Sequence, residues 1–150
     1  MHPGQYTVLN SPNEEVGART IDDLNYHTRV LDSLGVGVEH KIVLHIGGIY
    51  NDKKQAIKRF ITNYHHLDDS VKGQLVLEND DKSYNVNDVL EIGTILNAPV
   101  IFDNLHNEIN SCSKFKYDFI HCKCGMDFLM ALPRHSTIHS TEVSLDLLTS

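Results

Sequence analysis

The chain has 150 residues, 41% hydrophobic and 22% charged, a size and balance that fit one soluble globular domain with its own core. No apolar stretch approaches the roughly 20 residues needed to cross a bilayer, and Met1-His2-Pro3-Gly4-Gln5 supplies neither half of a signal peptide, so no membrane partner is expected. Three cysteines are too few and too clustered for a disulfide framework and point to a reducing cytoplasm, while a net charge of −7 does not by itself suggest a nucleic-acid partner.

Tyr6-Thr7-Val8-Leu9 is a β-tending run that breaks at Asn10-Ser11-Pro12. A helix is predicted from about Thr20 to Leu34, with Ile21, Leu24, Leu31 and Leu34 on one face and Asp22 and Asp23 in its first turn. Gly35 and Gly37 stop it. Lys41 to Ile46 is a continuous β-branched run ending in Gly47-Gly48, the pattern of a strand buried on both faces. Asp52 caps a second helix whose stripe is Ala56, Ile57, Phe60, Ile61 and Tyr64. Leu75-Val76-Leu77 is the next strand, ending in Glu78-Asn79-Asp80. Asn85 or Asn87 starts a third helix through Val89, Leu90, Ile92 and Leu96. Pro99 to Phe102 is the last clear strand, ending in Asp103-Asn104-Leu105-His106.

Short apolar strands alternating with amphipathic helices predict parallel βαβ units with outer helices. No Gly-x-Gly-x-x-Gly follows any strand, which disfavours a dinucleotide fold. Residues of metal-ligand type stand at the strand ends instead, as in a (β/α)₈ barrel, which gathers its functional groups there. Such a barrel needs about 250 residues. The expected fold is therefore α/β, a partial (β/α)₈ TIM barrel of about four strands.

The candidate site is His2, His45, Glu78, Asp103 and His106, set at the carboxyl ends of different strands except that Asp103 and His106 share one turn. Parallel strands point those ends the same way, so the side chains are expected to converge. Imidazole suits zinc and its neighbours, and carboxylates admit manganese or magnesium. One Glu can bridge two ions roughly 3.5–4 Å apart, the spacing used in phosphodiester chemistry. A single His at a strand end is more often a rim residue than a ligand, and Glu78 or Asp103 alone reads as a loop or turn residue. Gly47 and Gly48 read either as a close approach to a phosphate or as a tight βα turn. His27, His40, His65 and His66 lack metal spacing and read as solvated. Cys112, His121, Cys122 and Cys124 lack the spacing of the common zinc knuckles.

Taken together, His2-Pro3-Gly4-Gln5-Tyr6, Asn10 to Glu14, Leu44-His45-Ile46-Gly47-Gly48, Leu77 to Lys82 and Phe102 to His106 resemble the UV damage endonuclease family, which sits among the endonuclease IV-like barrels. The resemblance implies a multi-metal site that nicks DNA on the 5′ side of cyclobutane pyrimidine dimers and 6-4 photoproducts. It implies His2, His45 and Glu78 as ligands of a first metal, with Glu78 the catalytic bridge to a second ion held by Asp103. His106 is then a ligand of a third. Manganese is the expected ion, with zinc, magnesium and cobalt compatible. Gln5 and Tyr6 match the pair that probes the duplex at the lesion. The implied partner is double-stranded DNA carrying UV lesions, in a bacterial-type cytoplasm, with no obligate protein partner. The rival readings are a sugar isomerase or epimerase on a similar barrel and a catalytically dead fragment.

The match fades after Asn110. Residues 1–110 read as the central portion of a barrel nuclease, and residues 111–150 as a divergent or truncated tail, with Pro133 to Ser140 a distorted echo of a later strand. A frameshift or an early stop in the reading frame would produce such a tail.

Overall fold

The runs read as buried strands form a parallel sheet. β1 (Ile42–His45) pairs with β2 (Leu75–Glu78), and β2 pairs with β3 (Val100–Ile101), all in parallel. The structure, a computed structural model, describes residues 1–112 and, for the backbone alone, two later strands, β4 (Tyr117–Ile120) and β5 (Phe128–Pro133). The first three residues of β1 and all four of β2 are buried, as a sheet covered on both faces requires.

The helices lie between the strands in sequence. They are α1 (Glu14–Ser33), α2 (Lys53–His65), α3 (Asp69–Gln74), α4 (Val86–Leu96) and α5 (Asn104–Ile109). Four begin on the polar caps that unpaired N-terminal amides demand. Asn13 accepts from the Glu15 amide at 2.9 Å, and Asp52 from the Gln55 amide at 3.0 Å. Asn85 and Asp88 close a reciprocal capping box at the start of α4. One core joins the elements, with Leu24 from α1, Phe60 from α2, Leu90 from α4, and Ile42, Leu44 and Leu77 from the sheet. Enclosing a Leu or Phe side chain contributes about 1.5–3 kcal/mol, so packing rather than propensity holds these helices. Among the described residues no helix is long and apolar enough to cross a membrane.

The structure departs from the sequence expectations at five places. Residues 6–9 form turns and coil, not a strand, with Leu9 and Asn10 buried and their carbonyls accepting from Asn63 and Arg59 of α2. α1 starts at Glu14 rather than about Thr20, since the Asn13 cap and the acidic pair Glu14 and Glu15 outweigh the break at Pro12. The Asp-x-x-His turn is the cap of α5, and α3 was not anticipated. The fifth departure lies beyond β3. β5 pairs antiparallel with β3 and with β4, giving the order β1-β2-β3-β5-β4.

Candidate metal centre and the adjoining cleft

Strand register assembles the site. His45 and Glu78 are the last residues of β1 and β2 and face each other as register partners. Their side chains turn to the same side, and Nε2 of His45 lies 2.9 Å from a carboxylate oxygen of Glu78. His2 arrives from beside β1. The Met1 amino group donates to the Lys41 carbonyl at 2.8 Å, and the Val43 amide donates to the Met1 carbonyl at 2.9 Å. The ligand-type atoms of His2, His45 and Glu78 lie within 4.8 Å of one another.

Glu78 is 6% exposed, whereas His45 is half-buried and His2 exposed, so the cluster opens outward. The hydrogen bond to Glu78 raises the His45 pKa above the ordinary imidazole value, and the negative charges of Asp80 and Asp103 add to it. A buried carboxylate and two imidazoles form a donor set suited to a divalent cation.

Asp103 and His106 stand just beyond this trio. The Asp103 carboxylate caps α5, accepting from the His106 amide at 2.8 Å. The His106 ring meets the His45 ring edge-on with centroids 5.4 Å apart, so it borders the trio. Its Nδ1 faces the Asn79 carbonyl at 2.8 Å, which leaves Nε2 as the free nitrogen. Asp80, next in sequence, is turned away from ligand duty. Its carboxylate accepts from the backbone amides of Lys82, Ser83 and Tyr84 and so closes the β2–α4 loop.

Gln5 and Tyr6 sit on the loop that follows His2, where the Thr7 amide bonds to the Gly4 carbonyl at 2.9 Å. Gln5 lines a cleft of about 360 Å³ together with His2, Gly4, His45 and Gly47. Tyr6 projects from the other side, 82% exposed, over a second cleft of about 620 Å³ bounded by Arg19, Asp23 and Tyr50. A ring that exposed is not a core aromatic.

The chain just after Tyr6 is pinned hard. The Thr7 hydroxyl donates to Asp23 at 2.5 Å, and the Val8 amide to the Thr20 hydroxyl at 3.0 Å. Asn63 donates to the Leu9 carbonyl at 2.6 Å, and Arg59 to the Asn10 carbonyl at 3.0 Å. The Asn10 amide donates to the Gly48 carbonyl at 2.7 Å, alongside the buried Tyr84 hydroxyl at 3.2 Å. Gly47 has φ of 109°, and any side chain there would run into Asn10 and Val8. Tight turning and close packing thus account for this glycine.

The structure thus brings His2, His45 and Glu78 together, with the His106 ring against His45 and Asp103 at the cap of α5. The inward residues Asn10, Asn79 and Tyr84 were not singled out from sequence. A buried Asn has no periodicity signal to betray it, although Asn79 directly follows Glu78. His27 is not solvated as expected, because α1 brings its Nδ1 within 2.7 Å of the Asp23 carbonyl. His40, His65 and His66 are exposed. His121, Cys122 and Cys124 lie outside the described residues.

Comparison with known proteins bears on the same region. The family profile described as "UV-endonuclease UvdE" matches residues 1–119. A UV DNA damage endonuclease of Clostridium perfringens is 54% identical over 107 residues, covering 71% of this chain and 26% of that protein. A UV-damage endonuclease of Schizosaccharomyces pombe is 42% identical over 113 residues, covering 73% of this chain and 19% of that protein. The crystal structure of SacUVDE superposes with a TM-score of 0.72 at 46% identity, covering 77% of this chain and 39% of the other. The chain thus spans well under half the length of each of these relatives.

Proposed function

This chain belongs to the UV-endonuclease UvdE family, and from that premise we propose that it carries part of the metal centre and lesion probe of a DNA repair endonuclease. The proposed reaction is hydrolysis of the phosphodiester on the 5′ side of cyclobutane pyrimidine dimers and 6-4 photoproducts in double-stranded DNA. The observation that carries the reading is the meeting of His2, His45 and Glu78 within 4.8 Å beside the projecting Gln5-Tyr6 loop. An exposed aromatic tip next to a metal-type cluster suits a stacked duplex and has no use in a small sugar pocket.

Divalent ions, manganese foremost, supply Lewis acidity and a low-pKa water in such sites when bound. His2, His45 and Glu78 are the residues proposed to hold the first ion, with Asp103 and His106 held ready for further ions. Glu78 is assigned the bridging role because a buried carboxylate keeps an acceptor beyond the one facing His45. Tyr6 offers a ring face where bases have been extruded, and the Gln5 amide offers a donor and an acceptor to the bases left behind. Residues 1–110 are assigned to the central barrel and residues 111–150 to a divergent tail. A cytoplasmic setting follows from the proposed substrate.

The test is a chimera in which residues 1–110 replace the matching segment of the Clostridium perfringens relative. Assayed with manganese on a duplex holding one defined pyrimidine dimer, it should cut once, 5′ to the dimer. A folded chimera that leaves the dimer strand intact, or cuts undamaged duplex equally well, rules the reading out.

A further inference from the structure

We infer that Asn79 is a positioning residue, whose side chain sets Asp103 and whose backbone carbonyl sets the ring of His106, so that one residue fixes the second half of the metal centre relative to the first. The inference rests on the proposal that Asp103 and His106 are ligands. Its starting point is where the sheet stops. The last register pair of β2 and β3 is Glu78 and Ile101.

The Asn79 side chain takes over at that point. Its Oδ1 accepts from the Asp103 amide at 2.8 Å, and its Nδ2 donates to the Asp103 carbonyl at 3.0 Å. A carboxamide is the side-chain copy of a peptide group, and here it continues the ladder by one step. The residue is fully buried, so neither bond has water to replace it. Asp offers no donor in this place, Gln is one methylene too long, and an apolar residue leaves the Asp103 amide and carbonyl without this partner.

The same residue acts a second time through its backbone. Its carbonyl accepts from Nδ1 of His106 at 2.8 Å, which selects the Nδ1–H tautomer and leaves Nε2 with its lone pair. That ring packs edge-on against His45. Asn79 also directly follows Glu78, the shared carboxylate. A shift of Asn79 would therefore move Asp103 and His106 together against a fixed His45–Glu78 pair. Asn110 closes the corner from outside, donating to the Asp80 carbonyl at 3.1 Å.

The tautomer is read from long-range proton–nitrogen correlations of the imidazoles in the whole labelled chain. No metal or DNA is present, and the pH is well above the ordinary imidazole pKa of about 6.5. In the wild type, His106 should carry its proton on Nδ1 by roughly tenfold over Nε2, the bias one ordinary hydrogen bond provides. Asn79→Gln should bring the two forms near parity, and Asn79→Asp should do so in part. The amide signals of β1 and α2 should stay in place in both variants. A merely structural Asn79 would alter stability without altering the tautomer of a folded variant.

An Nε2–H form in the wild type overturns the inference, as does a full Nδ1–H bias in folded Asn79→Gln. If neither variant folds, the wild-type exchange rate of the Asp103 amide decides. Protection supports the side-chain ladder step, and exchange at the rate of an open loop overturns it. Failure of the metal proposal has a different signature, namely cobalt(II) alone not being taken up by the wild-type chain while the tautomer is as expected. That result would remove the ligand roles on which the inference rests.

Discussion

His45 and Glu78 are register partners at the ends of adjacent parallel strands, and their side chains meet at 2.9 Å. Backbone pairing alone thus brings a base and an acid together, with no loop to be ordered first. Their separation is as rigid as the sheet.

Glu78→Gln should weaken binding of a divalent ion to the chain by more than the roughly 10–100-fold typical of losing an outer-sphere partner. The amide keeps the shape but loses the charge and one acceptor. Calorimetry with manganese or zinc measures it. In an intact barrel carrying this segment, Glu78→Gln should abolish nicking more completely than His106→Ala. Equal residual activity would exclude a bridging role for Glu78.

Metal uptake should depend on pH through His45. Glu78 holds a proton on this imidazole above its ordinary range, and that proton must leave when an ion binds. Affinity should therefore rise with pH through the folded His45 pKa and level off above it. In the metal-free chain the sign is reversed. The raised pKa contributes stability that is fully present below the unfolded value of about 6.5 and is lost as pH rises through the folded value. Denaturant titrations across neutrality, with and without Glu78→Ala, test this, and identical pH profiles would remove the coupling.

Tyr6→Ala should cost binding to a photodimer duplex about 1–3 kcal/mol, the scale of base–aromatic stacking. Because the ring is 82% exposed, folding stability should change by no more than about 0.5 kcal/mol. Metal content should not change at all. Metal loss in this variant would show that Tyr6 supports the centre rather than probing the duplex.

Tyr84 gives a prediction at alkaline pH. Burial pushes its phenol up to about 12, so folding holds it neutral. Stability from this group is complete below the unfolded value of about 10 and falls as pH climbs through the folded one. Tyr84→Phe should flatten that loss. At neutral pH it should cost about 0.5–1.5 kcal/mol for the bond to the Gly48 carbonyl, which still keeps the Asn10 amide. Alkaline denaturation followed by circular dichroism compares the two.

The parts of the fold that announced themselves did so through patterns dictated by burial. β1 and β2 are covered on both faces, so Ile42-Val43-Leu44 and Leu75-Val76-Leu77 had to be continuous apolar runs. The stripe of α2 and its Asp52 cap were equally plain. Residues 6–9 misled because a β-tending run looks the same whether it pairs or merely tucks Leu9 into the core. His45, Glu78 and Asp103 could be read because each stands at the end of an apolar strand run. Their support could not, because Asn79 and Asn10 act through hydrogen bonds to backbone distant in sequence, which leave no spacing to recognise. The reversal of direction at β5 depends on pairing partners, about which the local pattern is silent.

The anchoring of residues 7–10 has a mechanical consequence. A load on the ring of Tyr6 passes within four residues to Thr20 and Asp23 of α1 and to Arg59 and Asn63 of α2. The filled space over Gly47 blocks retreat toward the sheet. The tip therefore behaves as a stiff stylus on a compliant sheet of paper. Pressed against base pairs, it would hold its shape while the duplex bends. In the proposed lesion-probing role, a weakened step such as a photodimer would give way before sound DNA did.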